Sequence, residues 1–288
     1  MTIRTLILSG GGGRGAFHAG VYQYLCQAEK PGVDAAHQGT WEPAIIVGTS
    51  IGAVNGAAIA QGLGGEELVR FWLDVREHHV EGIPPGMRAL SRWFSNFLYR
   101  RLLGVTLPQI PRELATSPDA AQSWPPLPIL PASVGERLIG RWNNLLDTGP
   151  LKTTLTGRLG ITAEKLAASP MTLLISATNV RTGALQLFSN KTILSRKTGQ
   201  PRDDVKTGLS PERILASCSI PLVYPWTTDS DGEVYWDGAV VANTPFGPAL
   251  DAARDRPAGE DMEAVIVMMT PWWERGDPAP ARRETLPR

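Results

Sequence analysis

The chain has 288 residues, 42% hydrophobic and 19% charged, enough for a sizeable core in one large domain or one domain with an insertion. Lys+Arg and Asp+Glu balance at 28 each, so no global basic field argues for nucleic acid or for electrostatic docking on an anionic membrane. Cys26 and Cys218 fit neither a metal spacing nor a disulfide framework and read as buried structural thiols.

No secretory h-region opens the chain, because Leu6-Ile7-Leu8 runs straight into glycines, and no apolar run reaches membrane-spanning length. An intracellular, cytoplasmic protein is the simplest expectation. Arg4 to Ser9 reads as a first buried strand. It breaks into Gly10-Gly11-Gly12-Gly13-Arg14-Gly15, and Ala16 to Cys26 follows as a helix with Ala16, Phe17, Val21 and Leu25 near helical spacing. A glycine run between strand and helix lets backbone N–H groups face an anion or oxyanion at the helix N-terminus. Such a loop is a phosphate cradle, an oxyanion hole or simply a mobile loop. The nucleotide reading lacks the GK[ST] ending of a P-loop, and Asp34, near the spacing of a ribose acid, falls in a Pro/Gly-broken loop.

Ala44 to Val47 is a second strand, and Ile51 to about Gln61 is a helix of small residues that could pack close to its neighbours. Between them Gly48-Thr49-Ser50-Ile51-Gly52 matches G-x-S-x-G in a strand–turn–helix context. That turn would strain Ser50, expose its hydroxyl and leave room only for glycine on either side. The plain alternative is a Gly/Ser turn. Glu66 to His78 reads as a helix with Leu68, Val69, Trp72 and Leu73 on one face. His18 and His37 are isolated and read as surface histidines, and His78-His79 as a solvated helix end.

From Gly82 to Thr148 the texture changes. Met87 to Leu103 and Val134 to Leu146 are amphipathic, with Trp and Phe opposite arginines in the first, and Thr106 to Pro131 is proline-rich. These helices either pack on the main domain or lie on a bilayer. Met171 to Thr178 is a strand, with Ala184 to Phe188 as its hairpin partner. Pro211 to Ser217 is a short helix, and Gly232 to Trp236 is a strand ending at Asp237-Gly238-Ala239. Asp-Gly is also a favoured plain turn pair. Asn243-Thr244-Pro245 leads into a helix from Phe246 to Arg254, and Glu263 to Met269 is a last buried strand.

Three separated pieces agree with one family. Gly10 to Gly15 resembles the glycine/arginine oxyanion loop of patatin-like phospholipases, Gly48 to Gly52 their nucleophile turn, and Asp237-Gly238-Ala239 their DG[GA] box. Ala216 to Pro221 and Ser176 to Asn179 are similar to supporting stretches of the family. The likeness runs from about residue 5 to 270 and is poorest over Gly82 to Thr148.

The resemblance implies an α/β class: a three-layer α/β/α patatin-like fold with a mostly parallel central sheet and a helical, Pro-rich insertion. Residues 1–270 would form one domain with the insertion at about 82–148, and 271–288 a disordered tail. It makes Ser50 the nucleophile, Asp237 its base, and the N–H groups around Gly11, Gly12, Gly13 and Arg14 an oxyanion hole. Gly10, Gly15, Gly48, Gly52, Gly238 and Ala239 are the supporting motif positions. No metal, no cofactor and no catalytic histidine are implied, and no histidine follows His79, which excludes a triad in Ser…Asp…His order. Asp237 follows Val234-Tyr235-Trp236, and burial there would raise its pKa toward that of a useful base. The implied activity is hydrolysis of fatty acyl esters of phospholipids or related lipids through an acyl-enzyme. The alternatives are an acyltransferase on the same site, a nucleotide- or phosphate-binding module using Gly10 to Gly15, and a non-catalytic lipid-binding protein. The expected partners are a lipid substrate and a membrane surface reached through the amphipathic segments near 87–103 and 134–146, with no nucleic acid. One departure from the family is that the chain ends soon after its last strand, where such domains often continue into further helices.

Overall fold

The computed structural model describes residues 2–30, 38–76, 79–80, 146–195, 197–253 and 261–269. The expected amphipathic segments, apart from Leu146, and Asp34, His37, His78, the proline-rich stretch and the tail lie outside these residues. The strands are β1 (Ile3–Leu8), β2 (Ile45–Thr49), β3 (Thr172–Asn179), β4 (Leu185–Ser189), β5 (Val205–Thr207), β6 (Thr227–Thr228), β7 (Val234–Asp237) and β8 (Met262–Val267). They join in one mostly parallel sheet in the order β5-β4-β3-β2-β1-β8, with β7 pairing β3 and β6. The antiparallel pairs are β3/β4, β3/β7 and β6/β7.

The helices are α1 (Gly15–Leu25), α2 (Ile51–Ala60), α3 (Gly65–Asp74), α4 (Gly149–Thr153), α5 (Ala163–Ala167), α6 (Pro211–Ser217) and α7 (Phe246–Ala252). They cover both faces of the sheet. Leu6, Leu8, Ile46, Leu173 and Ile175 point into one apolar layer with α1, α2 and α6, while Ile7, Ile45, Val47 and Leu174 point into the other against Ala249 and Ala253. Period-two alternation along each strand produces the two layers. All ten residues of α2 are buried, which its small side chains allow.

Four expectations change. In α1 the buried stripe is Gly15, His18, Ala19 and Tyr22, so Ala16 and Phe17 face outward and His18 is a core residue, not a surface one. Those four follow the i, i+3, i+4, i+7 spacing of a helix face, with the polar His18 inside it. Leu73 is exposed, because α3 turns only Gly65 and Leu68 fully inward. The last strand is not fully buried: β8 is the edge of the sheet beside β1, and Ile266 there is 44% exposed. Cys218 is buried as expected, but Cys26 is only partly so, and both thiols are free.

One register positions the site. β2 pairs with β3 as far as Thr49 opposite Ser176. β7 then takes the next place along β3, with Asp237 opposite Ala177. β4 occupies the other edge of β3 over Leu174 to Thr178, so β2 and β7 share one edge end to end. Ser50, which follows β2, and Asp237, which ends β7, therefore meet at the seam.

Candidate active site

Ser50 joins β2 to α2 at φ 55°, ψ −126°, a left-handed conformation that is costly for a residue with a Cβ. The surroundings hold it there. Its N–H donates to the Ser217 hydroxyl at 2.8 Å, and its carbonyl accepts from the N–H of Ala53 at 2.8 Å. A side chain on Gly48 would put its Cβ 2.5 Å from the Gly52 carbonyl, and one on Gly52 would reach 2.1 Å from the Leu8 carbonyl. Both contacts are with backbone that cannot yield, so the glycines of G-x-S-x-G follow from close approach.

Asp237 is 2% exposed. Its N–H donates to the Ser219 carbonyl at 2.8 Å, its carbonyl accepts from Thr178 Oγ1 at 3.0 Å, and its Oδ1 accepts from the Ala239 N–H at 2.8 Å. The Ser50 side chain lies close enough to the Asp237 carboxyl to favour its charged form. Burial raises the Asp237 pKa to about 6, and the nearby Ser50 side chain and the Ala239 N–H oppose only part of that. Gly238 passes so close to β3 that a Cβ would lie 2.3 Å from Ser176 Oγ. Hence a glycine must follow this aspartate.

The glycine loop runs against the same point. A Cβ on Gly10 would sit 3.0 Å from the Ser50 Cβ. The Gly10 N–H donates to Asn243 Oδ1 at 2.7 Å, and the Arg14 N–H closes a turn onto the Gly11 carbonyl at 3.3 Å. The Arg14 guanidinium donates to the Met269 carbonyl at 2.6 Å, and the Met269 N–H donates to Ser9 Oγ at 2.9 Å. The two ends of the loop are thus pinned to Asn243 and to the segment after β8. The N–H groups of Gly11, Gly12 and Gly13 lie between those pins.

A cavity of about 460 Å³ opens beside Ser50, with Gly12 and Gly13 in its lining. Its wall is mostly apolar and includes Ile51, Trp72, Val75, Ile220 and Val223. Arg76 is its one charged lining residue among the described residues. Cys218 also lines it, and burial with the nearby Asp237 pushes its thiol pKa well up, so the sulfur stays protonated.

Ser50, Asp237 and the glycine loop are therefore brought together, with Gly48, Gly52, Gly238 and Ala239 around them. His79 lies apart, its ring facing the Arg158 guanidinium at 2.6 Å. Among the described residues no group of three or more His, Cys, Asp or Glu could hold a metal ion. Sequence reading gave no individual role to Ser217, Thr178 and Asn243, which hold the site from outside it. Ser217 and Thr178 lie in the two stretches similar to supporting parts of the family, and Asn243 is a short polar residue in the turn soon after Asp237-Gly238-Ala239.

No curated protein matches this chain. Solved structures similar to it include VipD from Legionella pneumophila, at 16% identity over 91% of this chain and 49% of that one, with a TM-score of 0.43. The ExoU–SpcU complex from the type III secretion system of Pseudomonas aeruginosa matches at 19% identity over 76% of this chain and 36% of that one, TM-score 0.29. The type III effector protein ExoU matches at 16% identity over 92% and 42%, TM-score 0.27. The chain spans about half the length of VipD or less of these structures. A family model described as patatin-like phospholipase matches residues 6–250. Matched over most of its length, the chain belongs to the patatin-like phospholipase family.

Proposed function

We propose that the protein is a serine lipid acyl hydrolase working through a Ser50–Asp237 dyad. The observation that carries this reading is the buried Asp237 carboxyl beside Ser50, next to the glycine loop and with Ser50 lining a mostly apolar cavity. A serine hydroxyl needs a base to take its proton as it attacks. With its pKa near 6, Asp237 is ionised at neutral pH yet far more basic than an ordinary carboxylate.

Ser50 Oγ bonds to the ester carbon as its proton passes to Asp237. The carbonyl electron pair moves onto oxygen, where the N–H groups of Gly11, Gly12 and Gly13 stabilise it. One such donor is typically worth about 10²–10³ in kcat. Collapse expels the alcohol, which takes the proton from Asp237 and leaves an acyl group on Ser50. Water then attacks that ester, its proton passing through Asp237 to Ser50 Oγ as the fatty acid departs. The apolar wall suits the acyl chain.

The test is hydrolysis of a lipid extract, read by mass spectrometry, together with fluorophosphonate labelling. Ser50→Ala is expected to lose both labelling and hydrolysis, and Asp237→Asn to lose most turnover while staying folded. Labelling that persists in Ser50→Ala, or wild-type hydrolysis by Asp237→Asn, would overturn the dyad.

A further inference from the structure

Beneath the glycine loop lies a buried polar cluster that the dyad does not use. Asn55, one turn beyond Ser50 on α2, is fully buried. Its Nδ2 donates to the Gly15 carbonyl at 2.9 Å and lies 3.3 Å from His18 Nδ1. Its Oδ1 accepts from the Trp72 indole N–H at 2.9 Å. A carbonyl only accepts and an indole only donates, so the two partners fix the carboxamide in one orientation. His18 Nδ1 must then be the acceptor and its proton sits on Nε2, which has no hydrogen-bond partner among the described residues. Burial keeps the ring neutral by lowering its pKa to about 4.

Each partner belongs to a different part of the candidate site. Gly15 is where the glycine loop becomes α1. Asn55 rides on the helix that starts at Ser50. Trp72, on α3, lines the cavity. Gly15 also sits in a tight junction, since a Cβ there would come within 2.5 Å of both Ile51 and Trp72. One side chain thus ties the loop, the nucleophile helix and the cavity wall.

We infer that Asn55 is a positioning residue that holds the glycine-loop N–H groups in line with Ser50 Oγ and is itself held by Trp72. The inference rests on the proposed dyad. Oxyanion stabilisation depends on donors that do not have to move as charge develops, and a misplacement of about 1 Å can cost ~10² in rate. Losing the Asn55 clamp should therefore lower kcat while leaving the cavity able to bind.

The experiment measures kcat and KM on a soluble acyl ester for wild type, Asn55→Ala, Trp72→Phe and the double variant. Concentrations are normalised to active sites titrated with a fluorophosphonate, at a temperature well below each variant's Tm. Asn55→Ala is expected to lose about tenfold to a hundredfold in kcat per titrated site, with KM within about twofold. Trp72→Phe keeps an aromatic side chain in the cavity wall but loses the N–H and part of the indole's bulk; it leaves the Asn55 carboxamide bonded to Gly15, so it should lose less. The double variant should fall no further in kcat than Asn55→Ala, because the indole acts through the carboxamide. A residue that only stabilised the fold would lower Tm and the titratable fraction but leave kcat per site unchanged, and that result overturns the inference. Additive losses in the double variant overturn it as well. Ser50→Ala, run alongside, separates the two failures. If it is dead while Asn55→Ala keeps its kcat, only the positioning role falls. If it still hydrolyses the ester, the dyad falls and the positioning role with it.

Discussion

The most consequential single residue is Asp237, because its proposed role as base and the stability of the fold pull on it in opposite directions. Its folded-state pKa is about 6 against an ordinary value of 3.8, so the folded chain binds this proton more tightly than the unfolded chain does. The protonated form favours folding. That contribution is complete below about pH 4 and is lost as pH rises through about 6. At neutral pH the buried carboxylate costs the fold up to about 3 kcal/mol. Asp237→Asn keeps an acceptor for the Ala239 N–H and removes the charge. It is expected to be more stable than wild type above pH 6, with the gap closing toward pH 4, as followed by thermal melts across that range. Wild-type kcat/KM should run the other way, rising with pH through about 6 and flattening above it. The turns that carry Ser50 and Asp237 were legible because close backbone approach confines them to short motifs with glycine. The burial of His18 was not, because the stripe it belongs to interrupts apolar residues with a polar one, and the group that donates to it, the Asn55 carboxamide, lies on another helix.

At the scale of the element, glycines separate into those the packing requires and those it merely tolerates. Gly52 lets α2 start directly against the β1 backbone, where a Cβ would lie 2.1 Å from the Leu8 carbonyl. Gly20 sits in the exposed middle of α1, and a Cβ there would meet nothing within 4 Å. Gly20→Ala should raise stability by about 0.5–1 kcal/mol through helix propensity. Gly52→Ala should cost about 3 kcal/mol or more, since strand or helix must move to admit the methyl group. Chemical denaturation of both variants checks the opposite signs. Elements were the most readable level of this sequence: α6 spans Pro211–Ser217 as expected, and β1 to β3 each lie within two residues of their expected limits. Faces were less readable. α1 and α3 are flanked by several layers, and α1 buries small residues that an apolar count overlooks.

For the molecule as a whole, the cavity is assembled from distant parts of the chain, with Gly12, Ser50, Trp72, Leu151 and Tyr224 all in its lining. No local pattern could foretell its size or shape. The sheet order that gathers these residues depends on long crossovers, which sequence periodicity does not encode. If the cavity takes the acyl chain, each added methylene buried there is worth about 0.8 kcal/mol. In a series of p-nitrophenyl esters, kcat/KM is expected to climb by up to about fourfold per methylene and then level off once about 460 Å³ is filled. A profile flat from acetyl to dodecanoyl would assign the chain elsewhere.

The seam on β3, where one strand stops and another takes over, sets the spacing between alcohol and carboxylate by sheet pairing instead of by loops. Pairing of this kind shifts only by whole residues, and a single step would turn the carboxylate to the opposite side of the sheet. The proposed reacting pair consequently cannot drift apart by small degrees. It is either aligned to the tolerance of a hydrogen-bonded ladder or absent, which makes substitutions in the strand interior, far from any bound lipid, a direct route to an inactive but folded protein.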